Sequence, residues 1–414
     1  MTAQVEINSR RLLRRLRALA NIGRQPAGGI SRPGFGAADI QANRLVSRMA
    51  RDSGLVPSVD AGGNLLIRHP TAGRTRPALL VGSHLDTVVN GGWLDGAYGV
   101  MAALEVSQAC WEADVDLGFD LVVVAFANEE GALFPQPFWG SMVIAGMLDA
   151  LPKSPTDYHG TPLGPALAEL GGNLDELETA VWPAESILGY LELHIEQGPV
   201  LERLGRPIGV VDAIVGRSVV DVVISGVAAH AGTTPMTGRR DAVVGAAHVI
   251  LLVEELTRSA GRCQVATVGR LETLPNSANT VAGQSRLTVD LRDVRPDRLA
   301  AARSATYDGI AAIAARLDLD ARCEQLLWSQ PAATEQGFRD RIAESADVLG
   351  LGYETLSSGA GHDAQIMAAV APVGMIFAPS IGGVSHVPQE DTAEQDLVAG
   401  ARVLLGTVLR MARR

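Results

Sequence analysis

The sequence predicts an α/β fold: a mixed, mostly parallel sheet with helices on both faces, into which a ferredoxin-like α+β segment is inserted. Three observations carry this. Through the first half, short apolar runs alternate with helical periodicity; from about residue 216 the order becomes β-α-β-β-α-β; after about residue 327 the first pattern resumes. At 414 residues the chain exceeds what a single hydrophobic core ordinarily serves, so two domains are expected. The reading divides it into a discontinuous first domain, 1–215 with 327–414, and an inserted second domain, 216–326.

Taken in order, "INSRRLLRRLRALANIG" places charges among its apolar positions and reads as an amphipathic helix, not as the uninterrupted apolar core of a signal peptide. The runs "NLLIRH", "ALLVGSH", "FDLVVVAFA" and "GYLELHIEQ" read as buried strands, with a helix following "DGAYG". Gly and Pro clusters near 134–140 and 151–165 read as loops. The inserted segment offers strand "SVVDVVISGVA", a helix over about 238–258, strands "CQVATVGRLET" and "SRLTVDLRD", a helix over about 296–315, and a strand near "LDARCEQLLW". The last part gives a helix, a turn at "SSGAGHDA", a second helix and a buried strand "VGMIFAPS" leading to "IGGVSHVPQE". No run approaches the roughly 18 apolar residues of a membrane span.

A formal net charge of -11 argues against nucleic acid or an anionic membrane surface as partner, since both favour a basic face. Cys110, Cys263 and Cys323 are far apart and form no CxxC pair, so neither a disulfide framework nor a zinc knuckle is indicated; a reducing, cytoplasmic compartment is expected.

Ligands and catalytic groups in such sheets gather at the carboxyl ends of the strands. Here those ends supply His84 and Asp86, Glu129 and Glu130, and His194, Glu196 and Gln197; His386 follows the last strand. A histidine two residues before an aspartate is, alone, equally a buried structural histidine, and an isolated Glu-Glu pair is usually a solvated turn. Jointly the strand ends indicate a metal cluster of His84, Asp95, Glu130, His194 and His386. Five ligands exceed the three or four of one catalytic zinc and point to two divalent ions with a shared carboxylate. Zinc, manganese, cobalt and nickel all suit the donors. Asp86 is placed to orient His84. Neighbouring residues leaving a strand point in different directions, so Glu130 can bind metal while Glu129 stays free as a base. His69 and His159 are expected in solvent, His248 packed on its helix, and His362 at a helix start near the site.

The motifs "GSHLDTV", "GGWLDGAYGV", "NEEG", "LHIEQGPVLE", "AAHAGTTPM", "RRDA", "SGAGHDA" and "SHVPQE", in this order, resemble the M20-type metallopeptidase clan. The likeness is to its amidohydrolase branch of N-carbamoyl-L-amino-acid hydrolases, allantoate amidohydrolases and β-ureidopropionases. The resemblance implies a Zn-exopeptidase-like catalytic domain and an inserted lid and dimerisation domain, hence a homodimer. It implies that Asp95 bridges two ions, that His84 and His194 hold one and that Glu130 and His386 hold the other. Glu129 would be the general base, first taking a proton from water and later protonating the departing nitrogen. His230, Asn279, Arg292, Gln197 and Gly361 would contact substrate, His230 also stabilising the oxyanion of a tetrahedral intermediate. The implied reaction cleaves the carbamoyl C–N bond of an N-carbamoyl-L-amino acid, a small ureido acid; allantoate and β-ureidopropionate are the alternatives, and a metal-free binding protein on the same fold is a distant one. Leu133, Trp93 and Leu94 depart from the family's common residues and suggest a more apolar rim.

Overall fold

The computed structural model describes residues 5–26, 28–71, 76–258 and 261–412. It divides into two compact units, Met1–Asp212 with Thr334–Arg414, and Ala213–Ala333. The boundaries expected at 215/216 and 326/327 therefore move outward. The last strand of the inserted unit runs Asp320–Ser329, across residue 326, and Ala213 and Ile214 pair antiparallel with Ala333 and Ala332.

The first unit is built on a mixed sheet whose neighbouring strands are, in order, Val56–Val59, Leu65–Arg68, Asp120–Phe126, Ala78–His84, Ile187–Ile195, Val373–Ala378 and Ile208–Ile214. The four central strands pair in parallel and the flanks antiparallel. The central strands are apolar on both faces, as helices on both sides require. Helix Ala97–Glu112 is buried all round, lying between the sheet and the helices Ser9–Leu19 and Glu394–Met411. The helix Ser9–Leu19 is capped by the Asn8 side chain, which accepts from the Arg11 N–H, and buries Leu12, Leu16 and Leu19 on one stripe. A second apolar cluster gathers Phe35, Phe134 and Trp139 with Leu163 and Leu167.

Among the described residues of the first unit, three strands escaped the sequence reading: Val56–Val59, Ile208–Ile214 and Tyr353–Ser358. The first lies at the sheet edge, and Tyr353–Ser358 pairs with Ile208–Ile214, so the expected turn "SSGAGHDA" begins as strand.

The second unit has the order strand Gly216–Ser225, helix Ala242–Arg258, strands Val265–Leu274 and Gln284–Asp293, helix Pro296–Arg316 and strand Asp320–Ser329. Its four long strands form an antiparallel sheet with the first strand flanked by the last and the third. That is the ferredoxin-like arrangement. The first helix starts four residues later than expected because Gly238 adopts φ +81° and Asp241 accepts the Val243 N–H. The unit has its own core, from Val220 and Val222 through Val249 to Leu287 and Leu291.

Candidate metal centre

The parallel strands end side by side. His84 is the last residue of its strand and pairs with Phe126; His194 lies one residue before the end of its strand and pairs with Phe377. Their side chains are 2% and 1% exposed, so both imidazoles are fixed in the interior. Each donates from Nδ1 to a backbone carbonyl, His84 to Asp86 at 2.9 Å and His194 to Ile195 at 2.9 Å. A carbonyl can only accept, so in the neutral ring Nε2 carries the free lone pair. For His194 this nitrogen also accepts the Gly96 N–H at 3.1 Å.

Asp95 lies between the donors. Its Oδ1 is 3.1 Å from His194 Nε2 and 3.5 Å from His84 Nε2, while Oδ2 is 3.1 Å from His386 Nε2. His386 Nε2 is in turn 3.2 Å from Glu130 Oε1, and Glu129 Oε2 is 3.7 Å from His84 Nε2. One carboxylate thus faces two histidines with one oxygen and a third histidine with the other. The triads His84–Asp95–His194 and Asp95–Glu130–His386 each bring ligand atoms close enough to hold an ion. Gly96 permits the approach: it has φ +62°, and a Cβ there would lie 2.5 Å from the His84 ring.

The two glutamates occupy a loop that leaves strand Asp120–Phe126 through Asn128 at φ +52°. Asp86 holds this loop by its backbone, Oδ1 accepting the Glu129 N–H and Oδ2 the Glu130 N–H, both at 3.1 Å. Its carboxylate is 3.6 Å from His84 Nδ1, beyond hydrogen-bond reach, so Asp86 orients His84 by its carbonyl and the glutamate loop by its side chain. Asn64, fully buried, accepts the Ala127 N–H and donates to the Gly140 carbonyl, bracing the same loop.

The groups of the cluster shift one another's proton affinities. Burial works against charge on His84 and His194, yet Glu129, Asp86 and Asp95 raise the first and Asp95 with Glu192 the second. Hydrogen bonds to Asp95 and Glu130 lift His386 to about 10. Burial opposes the Asp95 carboxylate, but its three histidine contacts hold it well below the usual range. Glu129 is pushed well above that range, first by burial and then by Glu130, Asp363 and Asp86 against the pull of His84; burial also raises Glu130. Three imidazoles and three carboxylates of this kind are a donor set that divalent ions fit.

Other expected residues fall as follows. Gln197, at φ +60°, donates from Nε2 to Asp95 Oδ2 at 2.8 Å and leaves its buried Oε1 without a partner. Gly361 sits against Phe138, where a Cβ would meet the ring at 2.9 Å. His362 is buried as cap of a short helix; its ring stacks edge-on against His194 with centroids 4.7 Å apart, and Nε2 is 2.9 Å from Ser358 Oγ. Burial and then the neighbouring His194 keep this imidazole neutral. His69, expected in solvent, is half-buried, 3.1 Å from the Ser107 carbonyl and against Trp111. His159 is exposed and His248 half-buried on its helix. Leu133 and Trp93 are half-buried and packed against apolar clusters, and Leu94 is buried.

In the second unit the exposed His230 and Asn279 lie together, Asn279 Nδ2 3.2 Å from His230 Nε2. Arg292 reaches Asp290 at 3.1 Å, the sheet contact that competes with a ligand-binding role. It pairs with Arg217 at one end of its strand, whereas His230 pairs with Thr280, just beyond the other end.

Three buried groups near the donors were not identified from sequence. Glu192 accepts from Ser83 Oγ at 2.7 Å and from the Ala364 N–H at 3.1 Å, and Asp363 is fully buried beside it. Glu390 lies inside the "SHVPQE" motif, and apart from Ser385 Oγ its partners are backbone N–H groups, which leave no mark on spacing.

Comparison with known proteins points the same way. The model of peptidase family M20/M25/M40 matches residues 80–410. An N-carbamoyl-L-amino acid amidohydrolase of Geobacillus stearothermophilus is 38% identical over 98% of this chain and 99% of its own. An allantoate amidohydrolase of Escherichia coli K12 is 35% identical over 95% and 96%. The crystal structure of a hydantoinase/carbamoylase family amidase from Burkholderia multivorans superposes with a TM-score of 0.90 at 34% identity, covering 99% of each chain.

Proposed function

Since the chain belongs to peptidase family M20/M25/M40, a family of metal-dependent hydrolases, and is itself an amidohydrolase of C–N bonds other than peptide bonds, we propose that it cleaves N-carbamoyl-L-amino acids. The observation that carries the reading is the convergence of His84, His194, His386 and Glu130 around the Asp95 carboxylate with Glu129 beside them. In this reading His84 and His194 would hold one divalent ion and Glu130 and His386 another, with Asp95 available to both. When bound, such ions polarise a ureido carbonyl, acidify water and favour the ionised form of neighbouring carboxylates.

Glu129 then removes a proton from the attacking water. It returns that proton to the nitrogen of the amino acid as the C–N bond breaks, leaving carbamic acid, which falls apart to ammonia and carbon dioxide. Gln197 and Gly361 line the ligand's approach. His230 and Asn279 offer donors to a developing oxyanion, and Arg292 a planar fork for the amino-acid carboxylate.

The geometry of the second unit bears on assembly. Eight residues of extended strand, about 25 Å, separate Arg292 from the His230–Asn279 end of the sheet. A ureido acid cannot span that distance. If both serve one ligand, two copies of the chain contribute, which supports a homodimer formed through this unit. An acidic chain with Cys110, Cys263 and Cys323 unpaired fits a cytoplasmic protein.

Glu129→Gln should lower kcat by about 10²- to 10⁴-fold with bound metal unchanged; an undiminished rate would sink the base assignment. A panel of carbamoyl amino acids, allantoate and β-ureidopropionate, read by ammonia release, tests the substrate class. Preferred turnover of allantoate, the substrate named for the Escherichia coli relative, would replace the carbamoyl reading.

A further inference from the structure

Two of the donor-bearing segments are not strand ends. Asp95 sits in the loop before helix Ala97–Glu112, and His386 lies in the loop after the 3₁₀ turn Ile381–Gly383, at φ +61° with its side chain 46% exposed. His84 and His194, by contrast, are held by strand pairing and are almost wholly buried. Something other than the sheet must keep Asp95 and His386 in register.

Glu390 touches both loops. It is 1% exposed. Its Oε1 accepts the N–H groups of Leu94 and Asp95, each at 3.0 Å; its Oε2 accepts Ser385 Oγ at 2.6 Å and the His386 N–H at 3.3 Å. Ser385 Oγ is also 3.1 Å from Asp95 Oδ2, so the hydroxyl spans the two carboxylates. The glycine loop closes directly on this group: a Cβ at Gly92 would lie 2.1 Å from Glu390 Cδ. Leu94 and Asp95 lie just ahead of the Gly96 cap of helix Ala97–Glu112, so the carboxylate satisfies two loop N–H groups and sits where the helix dipole favours negative charge.

We infer that Glu390 is a positioning residue that sets the spacing between Asp95 and His386, and so governs the affinity of the Asp95–Glu130–His386 half of the centre without ligating an ion. The inference rests on the two-ion reading above. Its effect is unequal: Asp95, shared by both halves, loses one support when Glu390 is changed, but His84 and His194 keep theirs from the sheet, whereas His386 loses its own as well.

The test uses the full-length chain, stripped with chelator and titrated with Co²⁺ while its visible absorption bands are followed. Wild type should take up two equivalents. Glu390→Gln is isosteric but sets an N–H₂ against one pair of donors; it should change the affinity of the first equivalent little and weaken the second by about 10- to 100-fold. Glu390→Ala, with its fold checked by circular dichroism, should deepen the same selective loss; if it does not fold, Glu390→Gln decides alone. Two unchanged equivalents in Glu390→Gln overturn the inference, and so does an equal weakening of both. Fewer than two equivalents in wild type overturns the two-ion reading and this inference with it.

Discussion

Asp86 shows how much at the residue scale depends on groups that do no chemistry. Its carboxylate accepts the two consecutive N–H groups of Glu129 and Glu130, and those glutamates are assigned different tasks. An amide in its place keeps one acceptor and turns a donor toward the other N–H. Asp86→Asn should therefore weaken metal binding and turnover together by about 10- to 100-fold, measured by metal titration and steady-state rates; normal values for both would show that the loop holds itself. The donors themselves were legible in the sequence because strand-end histidines and carboxylates recur at one edge of the sheet. The task of Asp86 was not: two residues from His84, it invites a side-chain pair, whereas its partners are backbone groups 43 and 44 residues away. Glu390 escaped notice for the same reason.

Among the elements, the N-terminal helix is fastened by an ion pair that no periodicity announces. Glu105, fully buried on helix Ala97–Glu112, receives Arg11 through two bonds of 2.7 and 2.8 Å and the Asn8 N–H at 2.7 Å. Removing this cation leaves Glu105 only Arg15 at 3.5 Å and the Asn8 N–H, so Arg11→Met should cost about 1–3 kcal/mol in denaturant unfolding. The hairpin Val56–Val59 to Leu65–Arg68 carries a pH-dependent device. Burial, against hydrogen bonds from Asn64, lifts Asp60 at its turn to about 6. A carboxyl raised above its unfolded value stabilises the fold below about pH 4, and that contribution is lost as pH rises through about 6. The melting-temperature advantage of wild type over Asp60→Asn should shrink over this window; a constant difference would place the titration elsewhere. The central strands were legible because burial on both faces demands unbroken apolar runs. Ile208–Ile214 and Tyr353–Ser358 are formed by pairing with each other and with the strand Val373–Ala378, and "YETLSS" has no apolar run to show it.

For the molecule as a whole, the distance between Arg292 and His230 makes subunit composition measurable. Arg292→Ala and His230→Ala should each be nearly inactive, since every site lacks one group. Co-expressed with different tags, they should recover about a quarter of wild-type activity, because half the dimers are mixed and each mixed dimer has one intact site. No recovery in purified mixed dimers would mean that the two residues do not serve a shared ligand. The candidate centre also has a history written in its connectivity. Its donors come from residues 84–95, 129–130, 194 and 386, and the strand that precedes His386 inserts beside Ile187–Ile195. A chain made from its amino end builds four of the five donors and a whole separate unit with its own core before the last contributor exists. Metal captured at that stage would meet an unfinished cage. His386 thus closes the centre last in chain order, after a second unit with its own core has intervened.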